Sequence, residues 1–144
     1  MIDPDNPVVK LCAAGIEAEA RHDHTAARAL YAQAWEQRAD DYEGCIAAHY
    51  LAREQDTLAD SLAWNQAALD HALAAPLERI GGFLPSLYLN LGWSHEVLAD
   101  IAQARACYAQ GAALLDTLPP DPYTDTVRDG LMRGLERTAD TEFL

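Results

Sequence analysis

Apolar residues recur along this chain at the spacing of amphipathic helices. Ile46, Tyr50 and Leu51 fall on one segment, and Leu58, Leu62, Ala68 and Leu69 on the next. Near the C-terminal end Tyr123, Val127, Leu131 and Leu135 recur every fourth residue, while Arg128, Asp129, Arg133, Glu136 and Arg137 occupy the other faces. This is a helix with one side to bury and one to solvate. Helix starts are marked by their chemistry. Asp100 with Gln103 and Thr57 with Asp60 form capping pairs, Asp23 caps the helix carrying Ala27 and Tyr31, and Asp121-Pro122 opens the last helix after a Leu118-Pro119-Pro120 stop. The pattern predicts about seven helices, over 8–22, 24–38, 41–54, 57–75, 84–99, 101–117 and 122–139.

A spaced motif is laid over this periodicity. Near the start it reads Leu11-x-x-Ala14-Gly15-x-x-Ala18, then Ala27-x-x-x-Tyr31-x-x-Ala34; later it reads Tyr88-x-x-Leu91-Gly92-x-x-His95, then Ala104-x-x-x-Tyr108-x-x-Gly111. From each glycine the steps are 12 to the small residue, 4 to the tyrosine and 3 to the next small residue. A middle copy is degraded: 34 residues after Gly15 stands His49, and the same steps reach Ser61, Asn65 and Ala68. From His49 to Gly92 is 43 residues, and the excess of 9 is assigned to a connection at Ala75–Gly82, where Pro76 removes a helix donor and Gly81-Gly82 favour a break.

This signature resembles the tetratricopeptide repeat, in which two helices meet through small residues with an aromatic filling the gap beside them. The resemblance covers about Val8 to Thr138. It implies an all-α, right-handed α-solenoid of helix pairs in a single domain, 1–144, with repeats at about 8–41, 42–75 and 84–118, an insertion at 76–83 and a capping helix at about 121–140. It also implies noncovalent work, since such stacks are usually binding scaffolds.

Composition narrows the partner. Half of the 144 residues are apolar, enough for one small helical domain, and no run of about 18 uncharged apolar residues could span a membrane. The start, Met1-Ile2-Asp3-Pro4-Asp5-Asn6-Pro7, is unlike a secretory signal, and Cys12, Cys45 and Cys107 are odd in number with no C-x-x-C arrangement, so buried thiols in a cytoplasmic protein are expected. With one lysine, Lys10, and a formal charge of −13, the chain is a poor match for nucleic acid and for acidic tails. A basic or neutral apolar protein segment is the favoured partner.

The resemblance further implies that the first helix of each pair lines a concave groove through repeat positions 2, 5, 9 and 12. Those positions are Val9, Cys12, Ile16 and Glu19; Glu43, Ile46, Tyr50 and Arg53; and Ser86, Leu89, Trp93 and Glu96. The expected groove is an apolar floor with a charged rim, suited to a peptide or one face of a helix. The candidate contacts are Ile16, Glu19, Ile46, Tyr50, Arg53, Leu89, Asn90, Trp93 and Glu96. Ile16, Ile46 and Leu89 are equally consistent with packing between helices. The groove could also be covered by the tail Thr141-Glu142-Phe143-Leu144 or by a second copy of the chain, making a structural homodimer. Repeat proteins that capture a terminal carboxylate carry a clamp of lysine, arginine and asparagine; here Cys12, Ile16 and Ser86 stand where cations are wanted, and only Asn90 matches.

Catalytic constellations are thin. His95-Glu96 begins like H-E-x-x-H, but residue 99 is alanine, so no metal is expected there. Gly92-Trp93-Ser94 lacks the closing glycine of a nucleophile elbow. His22, His24, His49, His71 and His95 are dispersed, and His49 and His95 fall at positions that pack the helix pair. No cofactor is expected. The reading is a non-enzymatic adaptor or chaperone-like scaffold; the alternatives are self-association and, third, a small-molecule-binding or enzymatic pocket.

Overall fold

The computed structural model describes residues 2–139 and is all-α over them. The helices are α1 (Pro7–Ala20), α2 (His24–Gln37), α3 (Asp41–Leu51), α4 (Leu58–Ala74), the single turn α5 (Leu77–Ile80), α6 (Leu84–Val97), α7 (Ile101–Ala113) and α8 (Pro122–Arg137). Leaving α5 aside, the seven longer helices match the seven expected, with shifts at the ends. The last turns expected for α3 and α7 are 3-10 turns, Ala52–Glu54 and Leu115–Thr117. The expected connection is itself helical: α5 and a 3-10 turn, Gly81–Phe83, fill it, and Gly81 has ordinary right-handed angles (φ −53°, ψ −36°). Proline still marks the break, because Pro76 is extended and sits as the cap of α5.

The anticipated caps form. Backbone N–H groups of Ala26, Asp60, Gln103 and Thr124 donate to the side chains of Asp23 (3.1 Å), Thr57 (3.0 Å), Asp100 (3.3 Å) and Asp121 (2.8 Å). Asn6 and Asp40 cap α1 and α3 in the same way.

The chain divides into two compact units, one up to Gly81 and the other from Gly82. In the first, α1 packs on α2 and α3 on α4, and α3 also packs on α1 and α2. Its buried side chains include Val8, Ala18, Ala27, Tyr31, Ala34 and Tyr42. In the second, α6 packs on α7, and α8 packs on both. Tyr108, Leu115, Val127 and Leu131 form its core with Ala104. α8 thus stands to α6 and α7 as α3 stands to α1 and α2.

The α1–α2 and α6–α7 turns are built alike. His22 and Ala99 are left-handed (φ 61° and 66°), and each helix closes with paired bonds: Asp23 N–H to Ala18 and His22 N–H to Glu19, Asp100 N–H to His95 and Ala99 N–H to Glu96, all 2.9 Å. This is a Schellman motif in which the residue after the left-handed one is also the cap of the next helix.

Candidate functional site

The motif residues meet where their spacing implies. Gly15 faces Tyr31 so closely that a Cβ there would lie 2.7 Å from the ring's Cδ1. Gly92 faces Tyr108 likewise, with 2.6 Å from a Cβ to Cε1. Gly134 of α8 closes on the opposite edge of Tyr108, where a Cβ would lie 2.6 Å from Cε2. Each tyrosine therefore fills a slot that exists because glycine has no side chain.

Beyond each ring the hydroxyl reaches a carboxylate, and the carboxylate reaches an arginine. Tyr31 OH donates to Glu19, and Arg53 donates to the other oxygen of Glu19 at 2.7 Å. Tyr108 OH donates to Glu96 at 2.7 Å, and Arg137 grips Glu96 through two nitrogens at 2.8 and 3.1 Å. Burial, then the bond to Glu96, pushes the Tyr108 phenol up to about 12. The Arg137 hydrogen bond holds the Glu96 carboxyl below its ordinary value.

Both units thus carry one tyrosine–glutamate–arginine lock. Glu19, Arg53 and Glu96, expected as a groove rim, bond to their own unit. Arg137, expected on a solvated face with Arg128 and Arg133, turns inward to Glu96, whereas Arg128 and Arg133 pair with Asp125 and Asp129 one turn back on α8. The tail 141–144, named above as a cover for the groove, lies outside the described residues. The signal for the locks was present in the sequence, because Glu19–Tyr31 and Glu96–Tyr108 share a spacing of 12.

The apolar candidates separate by exposure. Ile46 is buried, and Tyr50 is half-buried with its ring stacked on Tyr31 at 5.4 Å. Leu89 and Asn90 are half-buried, and Leu89 lies against Gly130 of α8. Ile16 and Trp93, each one residue after its packing glycine, remain 41% and 53% exposed. The guanidinium of Arg137, fixed by Glu96, sits 5.3 Å from the Trp93 ring. Val97, one turn on from Trp93, is also exposed, as are Leu98 and Ile101. Of the wider position set, Cys12 is buried, and Glu43 is buried with its carboxylate accepting from Asn6 Nδ2 (2.8 Å) and Ala39 N–H (2.7 Å).

The degraded middle copy carries a close contact that the motif did not include. Gly44 of α3 faces the ring of His71 on α4, where a Cβ would lie 2.9 Å from Nδ1, and that nitrogen is 2.8 Å from Asp41 Oδ1. His49, expected at the packing glycine's position, lies 4.8 Å from the Tyr50 ring, edge to face. Burial, with help from the Arg53 charge, lowers its pKa to about 4. All three cysteines are buried, and desolvation pushes the Cys12 and Cys45 thiols up to about 12. Among the described residues no group of three or more His, Cys, Asp or Glu is placed to hold a metal ion, and no helix is long and apolar enough to cross a membrane.

No family model, no curated protein and no solved structure matches this chain.

Proposed function

We propose that this chain is a cytoplasmic, non-enzymatic interaction protein of the tetratricopeptide type, which grips a segment of another protein on the first-helix faces of its pairs. The observation that carries this reading is the paired exposure of Ile16 on α1 and Trp93 on α6. Both follow the glycine that admits the tyrosine, and both stand beside a glutamate held by tyrosine and arginine. An exposed tryptophan beside a fixed guanidinium is the kind of rigid amphipathic anchor that dominates protein interfaces. The surrounding side chains lose little freedom on binding, because the locks already hold them. With a formal charge of −13, the favoured partner is basic or neutral and apolar, and nucleic acid is disfavoured.

The test compares wild type with Ile16→Ser and Trp93→Ala. Both side chains are exposed, so truncation should leave the helical signal intact. Tyr50→Ala is a poorer probe, since Tyr50 supports Tyr31. Binding to an array of helical and extended peptides should favour cationic over anionic sequences and weaken in both variants. Equal binding by all three proteins would overturn the reading. A stable dimer in light scattering that dissociates in Trp93→Ala would replace it with self-association.

A further inference from the structure

The second helices of the first unit border a separate cleft. It has a volume of about 330 Å³ and lies between α2 and α4 beside the end of α3. Trp35 of α2 and Trp64 of α4 meet there edge to face, with ring centroids 4.9 Å apart and planes at 83°. Leu51 adds an aliphatic surface, and Glu36, one residue after Trp35, brings a carboxylate. We propose that this cleft receives the cationic side chain, lysine or arginine, of a partner polypeptide, with its methylene stem against the indoles and its charge at Glu36.

Several features favour that guest. Two aromatic planes set nearly at right angles form a corner, which can hold the apolar stem of a lysine or arginine against both rings while its charged head stays at the margin. Trp35 already engages such a group from its own chain: the Arg38 guanidinium lies 3.6 Å from its ring centroid, held there by the Trp35 carbonyl at 2.8 Å. Among the polar groups of the lining, the Glu36 carboxylate and the Gln55 carbonyl accept, beside the donor N–H groups of the two indoles. Glu36 has no hydrogen-bond or ion-pair partner among the described residues. Gln55 donates its amide to the Leu51 carbonyl at 2.8 Å, which leaves its own carbonyl to accept. Arg28, at the other end, is engaged by Asp56 at 3.1 Å. Up to Gly81 the chain carries 6 Lys and Arg against 14 Asp and Glu, so the field attracts cations and repels anions.

This inference rests on the protein-binding reading only for the origin of the guest; the cleft uses α2 and α4 rather than the faces of Ile16 and Trp93. The chain has three tryptophans, and two of them line the cleft, so a full-length Trp93→Phe protein reports on it directly by fluorescence. The probes are five-residue alanine peptides with one central lysine, arginine, norleucine, citrulline or glutamate, together with tetramethylammonium. Lysine or arginine peptides should change the emission saturably, and Glu36→Gln should weaken them by about two- to five-fold, as expected for loss of a partly exposed ion pair. Higher salt should weaken them too.

Equal responses to norleucine or citrulline, a stronger response to glutamate, binding of tetramethylammonium alone, or no loss in Glu36→Gln would each overturn the proposal. An unchanged thermal melt of Glu36→Gln excludes misfolding as the cause of a loss. Failure here would leave the Ile16 and Trp93 test standing, because the two sites share no residue.

Discussion

Replacing Gly92 with alanine adds a single methyl where α6 meets the Tyr108 ring of α7. The new Cβ would lie 2.6 Å from Tyr108 Cε1 and 2.7 Å from Cδ1, well inside van der Waals contact. Tyr108 cannot retreat, because its other edge abuts Gly134 of α8 and its hydroxyl is fixed to Glu96. Either α6 must lift from α7, or the ring must push α8 outward and strain the Arg137–Glu96 bond. Overpacking of this kind costs about 1–3 kcal/mol. Alanine returns up to about 1 kcal/mol through its better helix propensity. The net expectation is a loss of about 1–2 kcal/mol, or a fall in Tm of about 5–10 °C for a unit of this size. Urea and thermal unfolding followed by circular dichroism would measure it. Gly82→Ala is the internal control, because nothing lies within 4 Å of its added methyl and no glycine has positive φ. It should be neutral or slightly stabilising. A Gly92→Ala protein as stable as wild type would show that Tyr108 moves freely, and the slot argument would fail.

Three further outcomes follow from the same contacts. His49 titrates near 4 in the folded chain against an ordinary 6.5, so the unfolded chain binds the extra proton as pH falls through that window. Stability should therefore be full above about pH 6.5 and decline towards pH 4 by up to about 3 kcal/mol; urea midpoints of wild type and His49→Gln at pH 7 and 4.5 should diverge, and parallel pH slopes would refute it. Ala99 carries a Cβ in the left-handed region, so Ala99→Gly should raise stability by about 0.5–1 kcal/mol, the relief of that strain less the added chain entropy; a lowered Tm would contradict it. Cys12 and Cys45 are buried with thiols pushed up to about 12, so a thiol reagent at pH 8 should label them only on unfolding, whereas labelling within seconds in native buffer would refute their burial.

Features written in local chemistry were the most legible in the sequence. Each of the four anticipated caps needs only a side chain three residues before the N–H it accepts from, and all four form. The contacts of Gly15 with Tyr31 and Gly92 with Tyr108 were legible for a related reason: a fixed spacing across a short turn determines which residues face each other. The middle pair carries a contact outside that logic: Gly44 approaches His71, 27 residues on rather than 16, and the repeat register gave no sign of it. The role of Arg137 was hidden by its surroundings, since its neighbours on α8 do make ordinary helical ion pairs and nothing local distinguishes it. Exposure was harder still. Ile16 and Ile46 hold the same repeat-face chemistry on paper, yet one is 41% exposed and the other 5%.

Asp23 and Asp100 each belong to two helices at once. The backbone N–H of each closes the helix behind it, and the carboxylate of each opens the helix ahead. A residue inserted or deleted in either hairpin would separate those duties and rotate the following helix by about 100° relative to its slot. The stretch from Ala75 to Phe83 carries no such double obligation. Length variation among descendants of this sequence should therefore accumulate between α4 and α6, while both hairpins keep their residue count even where their side chains drift.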